Sequence, residues 1–181
     1  MNDKLPVPIT LDTLQSMKQR GEKIACLTAY DASFTRLLEA CGVDMFIIGD
    51  SLGMVLMGYE STVPVTMDDM VHHAANVARV GQRCYRVVDL PAHSYDDPVT
   101  ALKNARRLVD EGGAHMVKLE GGLAQAGTVQ ALADYGIPVC GHVGLLPQSI
   151  EELGGYKVQG HGAEAAREIL ADAQALEAAG A

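Results

Sequence analysis

Asp31-Ala32-Ser33-Phe34-Thr35-Arg36-Leu37-Leu38-Glu39-Ala40-Cys41-Gly42-Val43-Asp44-Met45-Phe46-Ile47-Ile48-Gly49-Asp50 is the stretch whose reading decides the fold. Phe34, Leu37, Leu38 and Cys41 fall at i, i+3, i+4 and i+7, the apolar stripe of a helix expected to pack on a sheet. Asp31 suits the N-cap, because its carboxylate can accept the free amides of the first turn. Gly42 suits the end, where a left-handed residue closes the helix. Val43–Ile48 then reads as a strand, and Gly49-Asp50 ends it. A helix that hands over through a tight turn to a short buried strand is half of a βα repeat around a parallel sheet.

The same pattern extends in both directions. Upstream, Leu11, Leu14 and Met17 share one face of a leading helix that stops at Gly21, and Ile24–Thr28 reads as the first strand. Downstream, an unusually long connection from Gly49 to Thr66 carries three glycines and Pro64, and loops of that length usually have a function. Thr66 and Asp69 form a capping-box pattern for a helix ending near Gly81, and Cys84–Val88 is the third strand. Asp97-Pro98 opens the next helix, with Ala101, Leu102, Ala105, Leu108 and Val109 as its inner stripe. His115–Leu119, a helix over roughly Ala124 to Tyr135, and Ile137–Cys140 complete the fourth and fifth strands. A second long loop, Gly141 to Gly160, leads to an Ala-rich helix with Ala166, Ile169, Leu170, Ala173 and Leu176 as its expected inner stripe.

The 181 residues are 48% apolar and 20% charged, the profile of one globular domain with a sizeable core. A formal charge of -9 repels phosphate backbones and anionic membrane surfaces, so nucleic acid and membrane are not expected partners. There is no apolar run of membrane-spanning length, and Met1-Asn2-Asp3-Lys4-Leu5-Pro6 lacks the apolar core of a secretory signal, so a cytoplasmic location is expected. Cys26, Cys41, Cys84 and Cys140 lack metal-ligand spacing and are expected to be small buried hydrophobes. His72-His73 lacks the spacing of a paired metal site and reads as structural or surface.

Five strands cannot close a cylinder without leaving unpaired edges, and an eight-fold barrel takes about 250 residues. The expectation is a single (β/α)-barrel domain over residues 1–181, incomplete at its C-terminal side. Its sixth to eighth strands would come from a longer chain, a partner or a swapped copy.

In βα barrels the reactive groups stand at the C-terminal ends of the strands. Here three successive strands end in Gly49-Asp50-Ser51, Val88-Asp89-Leu90 and Lys118-Leu119-Glu120. Neighbouring strands lie about 4.8 Å apart, so Asp50, Asp89 and Glu120 could converge on one hard cation, for which Mg²⁺ fits oxygen ligands best. Lys118 is two residues from Glu120 and shares its face, which places an ammonium where an enolate oxygen would develop charge. His142 reads equally well as a substrate-orienting or a structural histidine. Gly154-Gly155-Tyr156-Lys157-Val158-Gln159-Gly160 is a glycine-punctuated loop, weak evidence alone.

Taken together, Gly49-Asp50-Ser51-Leu52-Gly53-Met54, Ser61-Thr62-Val63-Pro64-Val65-Thr66, Asp89-Leu90-Pro91, Met116-Val117-Lys118-Leu119-Glu120-Gly121-Gly122 and Gly155-Tyr156-Lys157-Val158-Gln159-Gly160 resemble the ketopantoate hydroxymethyltransferase family. Leu27-Thr28-Ala29-Tyr30-Asp31 and Pro138-Val139-Cys140-Gly141-His142 extend the resemblance over essentially the whole chain. It implies a (β/α)8 barrel of the phosphoenolpyruvate/pyruvate superfamily, assembled as a homo-oligomer, a decamer in the family. It also implies transfer of a hydroxymethyl group from 5,10-methylenetetrahydrofolate to 3-methyl-2-oxobutanoate on the route to pantothenate. Asp50, Asp89 and Glu120 match the family's Mg²⁺ ligands. Asp50, Ser51, Asp89 and Lys118 match its substrate contacts, and the family's general-base glutamate would lie beyond Ala181. Where the family usually shows an aromatic after Asp-Leu-Pro, this chain has Ala92-His93, which trades apolar contact for a polar group. The alternatives are a related ketoacid carbon–carbon lyase or mutase, or a barrel fragment that binds metal or ketoacid without turnover.

Overall fold

A computed structural model describes residues 7–150 and 154–181. The opening Met1–Pro6 reading and the 151–153 part of the second long loop lie outside the described residues. Among the described residues the elements run α1 (Leu11–Gln19), β1 (Cys26–Thr28), α2 (Ala32–Ala40), β2 (Met45–Ile48), α3 (Leu52–Val55) and α4 (Met67–Ala78). They continue with β3 (Tyr85–Asp89), α5 (Pro98–Asp110), β4 (Met116–Glu120), α6 (Ala126–Asp134), β5 (Val139–His142) and α7 (Ala163–Ala178). All five strands are parallel and lie in the order β1-β2-β3-β4-β5, so α2, α3 with α4, α5 and α6 cross between adjacent strands, while α1 precedes β1 and α7 follows β5.

The helix starts follow from local chemistry. Asp31 accepts the amides of Ser33 and Phe34 at 2.7 and 3.0 Å, and Asp97 those of Val99 and Thr100 at 2.9 and 3.0 Å. Thr66 and Asp69 cap each other reciprocally. α3 was not expected; it is a short turn inside the Gly49–Thr66 connection. It seats there because Gly53 has no Cβ, which would stand 2.4 Å from Val65 Cγ2.

The register divides the sheet into two faces. Ile48, Val88, Val117 and Val139 lie side by side across β2 to β5 and are buried under the helices. On the concave face, Tyr85 and Val87 pack with Ile9 and Leu14, closing the N-terminal end of the strands. One position beyond the buried valine row, Asp89, Lys118 and Cys140 form the next row on the concave face, and Glu120 pairs with His142 two positions further.

Several expected burials are corrected. Phe34 and Leu37 are 61% and 58% exposed; α2 buries Thr35 instead, because it flanks β1, which pairs on one side only. On α7, Leu176 is buried and Ile169 half-buried, but Leu170 is 57% exposed and Ala166 and Ala173 are exposed. The face turned inward there runs Ala165, Ile169, Asp172, Leu176, Ala179, because β5 is the other edge strand. Only Cys84 of the four free cysteines is buried. Cys26, half-buried, and Cys140, exposed, sit on the edge strands, and Cys41 is exposed at the end of α2. His142 is the last residue of β5 rather than a residue past it. No helix among the described residues is long and apolar enough to cross a membrane.

Candidate active site

The C-terminal ends of β2, β3 and β4 bring together Asp50, Asp89 and Glu120, which are 2%, 3% and 6% exposed. Three carboxylates so deeply buried need compensation, since an unpaired buried charge is expensive. Lys118 supplies part of it, its Nζ lying 2.8 Å from Asp89 Oδ2. The same oxygen accepts the Asp50 amide at 3.3 Å. Gly49 lies beside this oxygen, where a Cβ would stand at an ordinary contact distance of 3.4 Å from Asp89 Oδ2. Asp89 Oδ1 is buried with no hydrogen-bond partner among the described residues.

Glu120 is held differently. One of its oxygens faces His142 Nδ1 at 3.1 Å, and the other accepts the Gln148 amide at 3.0 Å. Gln148 also donates from its side chain to Asp50 Oδ2 at 2.7 Å and to the Leu90 carbonyl at 2.9 Å. Tyr95, from the loop between β3 and α5, donates its hydroxyl to Gln148 Oε1 and accepts the Glu120 amide at 3.3 Å. Ser51 follows Asp50 at the start of α3, and its hydroxyl makes no capping bond.

Protonation follows from this crowding. Burial, reinforced by the neighbouring Asp89 charge, pushes Asp50 up to about 6. Burial also raises Asp89 above the ordinary carboxylate range, with Lys118 pulling the other way. Burial works against the Lys118 ammonium, but the Asp89 carboxylate beside it outweighs that and its pKa is raised. Burial raises the Tyr95 hydroxyl, which stays protonated and donates.

In this arrangement the convergence is narrower than three ligands around one ion. Among the described residues no group of three or more His, Cys, Asp and Glu side chains is arranged to hold a metal ion, and both Glu120 oxygens take part in hydrogen bonds, to His142 and to Gln148. Asp50 and Asp89 remain, with the orphaned Asp89 Oδ1, and such an oxygen pair suits a hard divalent ion that keeps several waters. The expected site residues Asp50, Ser51, Asp89, Lys118 and Glu120 all lie at one end of the sheet. Gln148 and Tyr95 were missed by the sequence reading; the available signal was the length of the Gly141–Gly160 loop. His93, from the Ala92-His93 departure, has a left-handed backbone (φ 62) and an exposed side chain 3.6 Å from Asp96. Tyr95 is the residue of that turn that enters the site.

A parallel βα sheet carrying its acidic groups and lysine at the C-terminal strand ends has the architecture of the catalytic face of a (β/α)-barrel. Solved structures agree at the level of fold. A phosphonopyruvate hydrolase solved with oxalate and Mg²⁺ superposes with a TM-score of 0.71 at 15% identity, over 96% of this chain and 61% of that one. A phosphoenolpyruvate phosphomutase from Streptomyces platensis gives 0.71 at 17% identity, over 96% and 62%.

Within that class the sequence is specific: the chain belongs to the ketopantoate hydroxymethyltransferase family, whose profile matches residues 8–181. It is 56% identical over 173 residues to the 3-methyl-2-oxobutanoate hydroxymethyltransferase of Nitrosococcus oceani, covering 96% of this chain and 66% of the relative. The enzyme of that name from a Thermoanaerobacter species is 54% identical, over 93% and 62%. The chain thus spans a little under two thirds of the length of these relatives.

Proposed function

We propose that this chain forms the catalytic face of a 3-methyl-2-oxobutanoate hydroxymethyltransferase. In this reading it takes the one-carbon unit from 5,10-methylenetetrahydrofolate and serves pantothenate synthesis in the cytoplasm, as part of a homo-oligomer. Residues 1–181 act as one barrel domain whose remaining strands are contributed from outside the described sheet. The observation that carries the reading is the buried Asp89–Lys118 pair, with Asp89 Oδ1 unpartnered beside Asp50. The lyase or mutase alternative is less favoured: the named transferases are 54–56% identical, whereas the superposed hydrolase and phosphomutase are 15–17% identical.

Asp50 and Asp89 would hold Mg²⁺, with Glu120 behind them as the third acidic group. The ion, when bound, supplies Lewis-acid polarisation of the ketoacid's oxygens. The protein's own groups do the rest. Lys118 sits on the concave face beside Asp89, where its ammonium stabilises the negative charge that grows on the keto oxygen as the neighbouring carbon loses its proton. Its raised pKa keeps it charged for that purpose. Asp50 and Ser51 face the ketoacid from the end of β2. Burial of all three carboxylates excludes water from the charged centre and strengthens each interaction there.

The reading is tested by calorimetric titration of 3-methyl-2-oxobutanoate into the protein with Mg²⁺ and with chelator. Binding is expected with Mg²⁺ only, and Asp89→Asn is expected to weaken both ion and ketoacid by ~10-fold or more. Equal ketoacid binding in chelator, or titrations unchanged in Asp89→Asn, would overturn it.

A further inference from the structure

The geometry points to Gln148 as the positioning residue of this site, a role that rests on the metal reading above. Gln148 lies in a short 3-10 turn, Pro147–Ser149, in the loop between β5 and α7. A primary amide offers two donors and a carbonyl acceptor, and here all are in use. The donors go to Asp50 Oδ2 and the Leu90 carbonyl, and the acceptor takes the Tyr95 hydroxyl. Its backbone amide is occupied as well, by Glu120. With no polar group left over, Gln148 does not read a ligand; it fixes the groups that do.

What it fixes is the spacing of the acidic groups on three strands. A continuous chain runs from the Glu120 amide to the Tyr95 oxygen, from the Tyr95 hydroxyl to Gln148 Oε1, and from Gln148 Nε2 to Asp50 Oδ2. Each member polarises the next in a site of low dielectric. The chain crosses from β4 to β2 and, through the Leu90 carbonyl, pins the end of β3 between them. A neutral amide suits this place: a carboxylate would add a fourth negative group, and an ammonium would compete with the cation for Asp50. Partners that orient first ligands in this way typically set metal affinity by an order of magnitude or more.

Mn²⁺ binding to the full chain, followed by electron paramagnetic resonance of the free ion, is the test. Gln148→Met keeps the side-chain length and removes both donors and the acceptor, and is expected to weaken Mn²⁺ binding ~10-fold or more. In an Asp50→Ala background the same substitution is expected to have little further effect, because the oxygen that Gln148 holds is gone. A merely structural role would lower the melting temperature and leave both the affinity of the folded protein and this non-additivity unmoved. Should Gln148→Met not fold, Tyr95→Phe cuts the same chain one bond further away, with an expected loss of about 2- to 3-fold. Mn²⁺ bound equally well by the parent and by whichever variant folds would overturn the role of Gln148 alone. No Mn²⁺ bound by the parent would overturn the metal reading, and Gln148's role with it.

Discussion

Replacing Lys118 with Met leaves Asp89 buried without its counter-charge. The side chains of the pair are 16% and 4% exposed with Nζ and Oδ2 2.8 Å apart, so solvent cannot take over the ammonium's part. Breaking such a pair from one side costs about 3–5 kcal/mol. Asp89 has one escape, which is to take up a proton. At ~1.4 kcal/mol for each pH unit above an ordinary carboxyl, that escape caps the cost at about 4 kcal/mol at pH 7 and about 1.5 kcal/mol at pH 5. The sign follows from proton counting. The folded state of the variant holds a proton that the unfolded chain has released above pH 4, so stability falls as pH rises. Urea unfolding followed by far-ultraviolet circular dichroism, with chelator present, should therefore show a loss relative to the parent that is large at pH 7 and shrinks at pH 5. Adding Asp89→Asn should restore most of it at pH 7. A loss independent of pH, or a double variant as unstable as Lys118→Met alone, would refute the reasoning.

Two further outcomes concern the scaffold. Burial, followed by the Arg86 charge, pushes His115 down to about 4, and the Arg86 guanidinium donates to its Nε2 at 2.6 Å. The unfolded chain therefore binds this proton first, and its contribution to stability is complete above about pH 6.5 and lost as pH falls toward 4. The His115 ring signal in nuclear magnetic resonance should titrate near 4, and an ordinary midpoint would reject the buried neutral form. Asp97→Ala removes the acceptor for two α5 amides and the Thr100 hydroxyl. It should cost ~1–2 kcal/mol, seen as a melting temperature lower by about 3–6 °C.

The helices whose ends were legible are those whose caps are local. Asp31, Thr66 with Asp69, and Asp97 each bond amides two or three residues away, so short sequence carries the whole cause. Strand ends were displaced by one or two residues at β3, β4 and β5, because pairing continues through Asp89, Glu120 and His142, which apolar patterning cannot register. The stripes of α2 and α7 were misassigned for a different reason. Periodicity states that a helix has an apolar face, but burial depends on a neighbour, and these two helices flank the edge strands β1 and β5. α5 has a helix on either side, and its expected Ala101, Ala105 and Leu108 are buried.

The acidic residues of the site were legible because parallel strands in sequential order must carry their end groups to one place. Charge explains why the groups holding them were not. Asp50, Asp89 and Glu120 carry three negative charges when ionised and Lys118 one positive charge, a deficit that one divalent cation would cancel. Without such an ion the strain appears on Asp50, pushed up to about 6 by burial and by Asp89. Proton and cation therefore compete for the same oxygens, and the site is poised by how firmly those oxygens are held apart. That task falls to neutral groups, Gln148 and Tyr95, whose bonds span 98 and 53 residues of sequence. Neither charge nor periodicity marks them, and only the folded chain brings their amide and hydroxyl to the carboxylates they restrain.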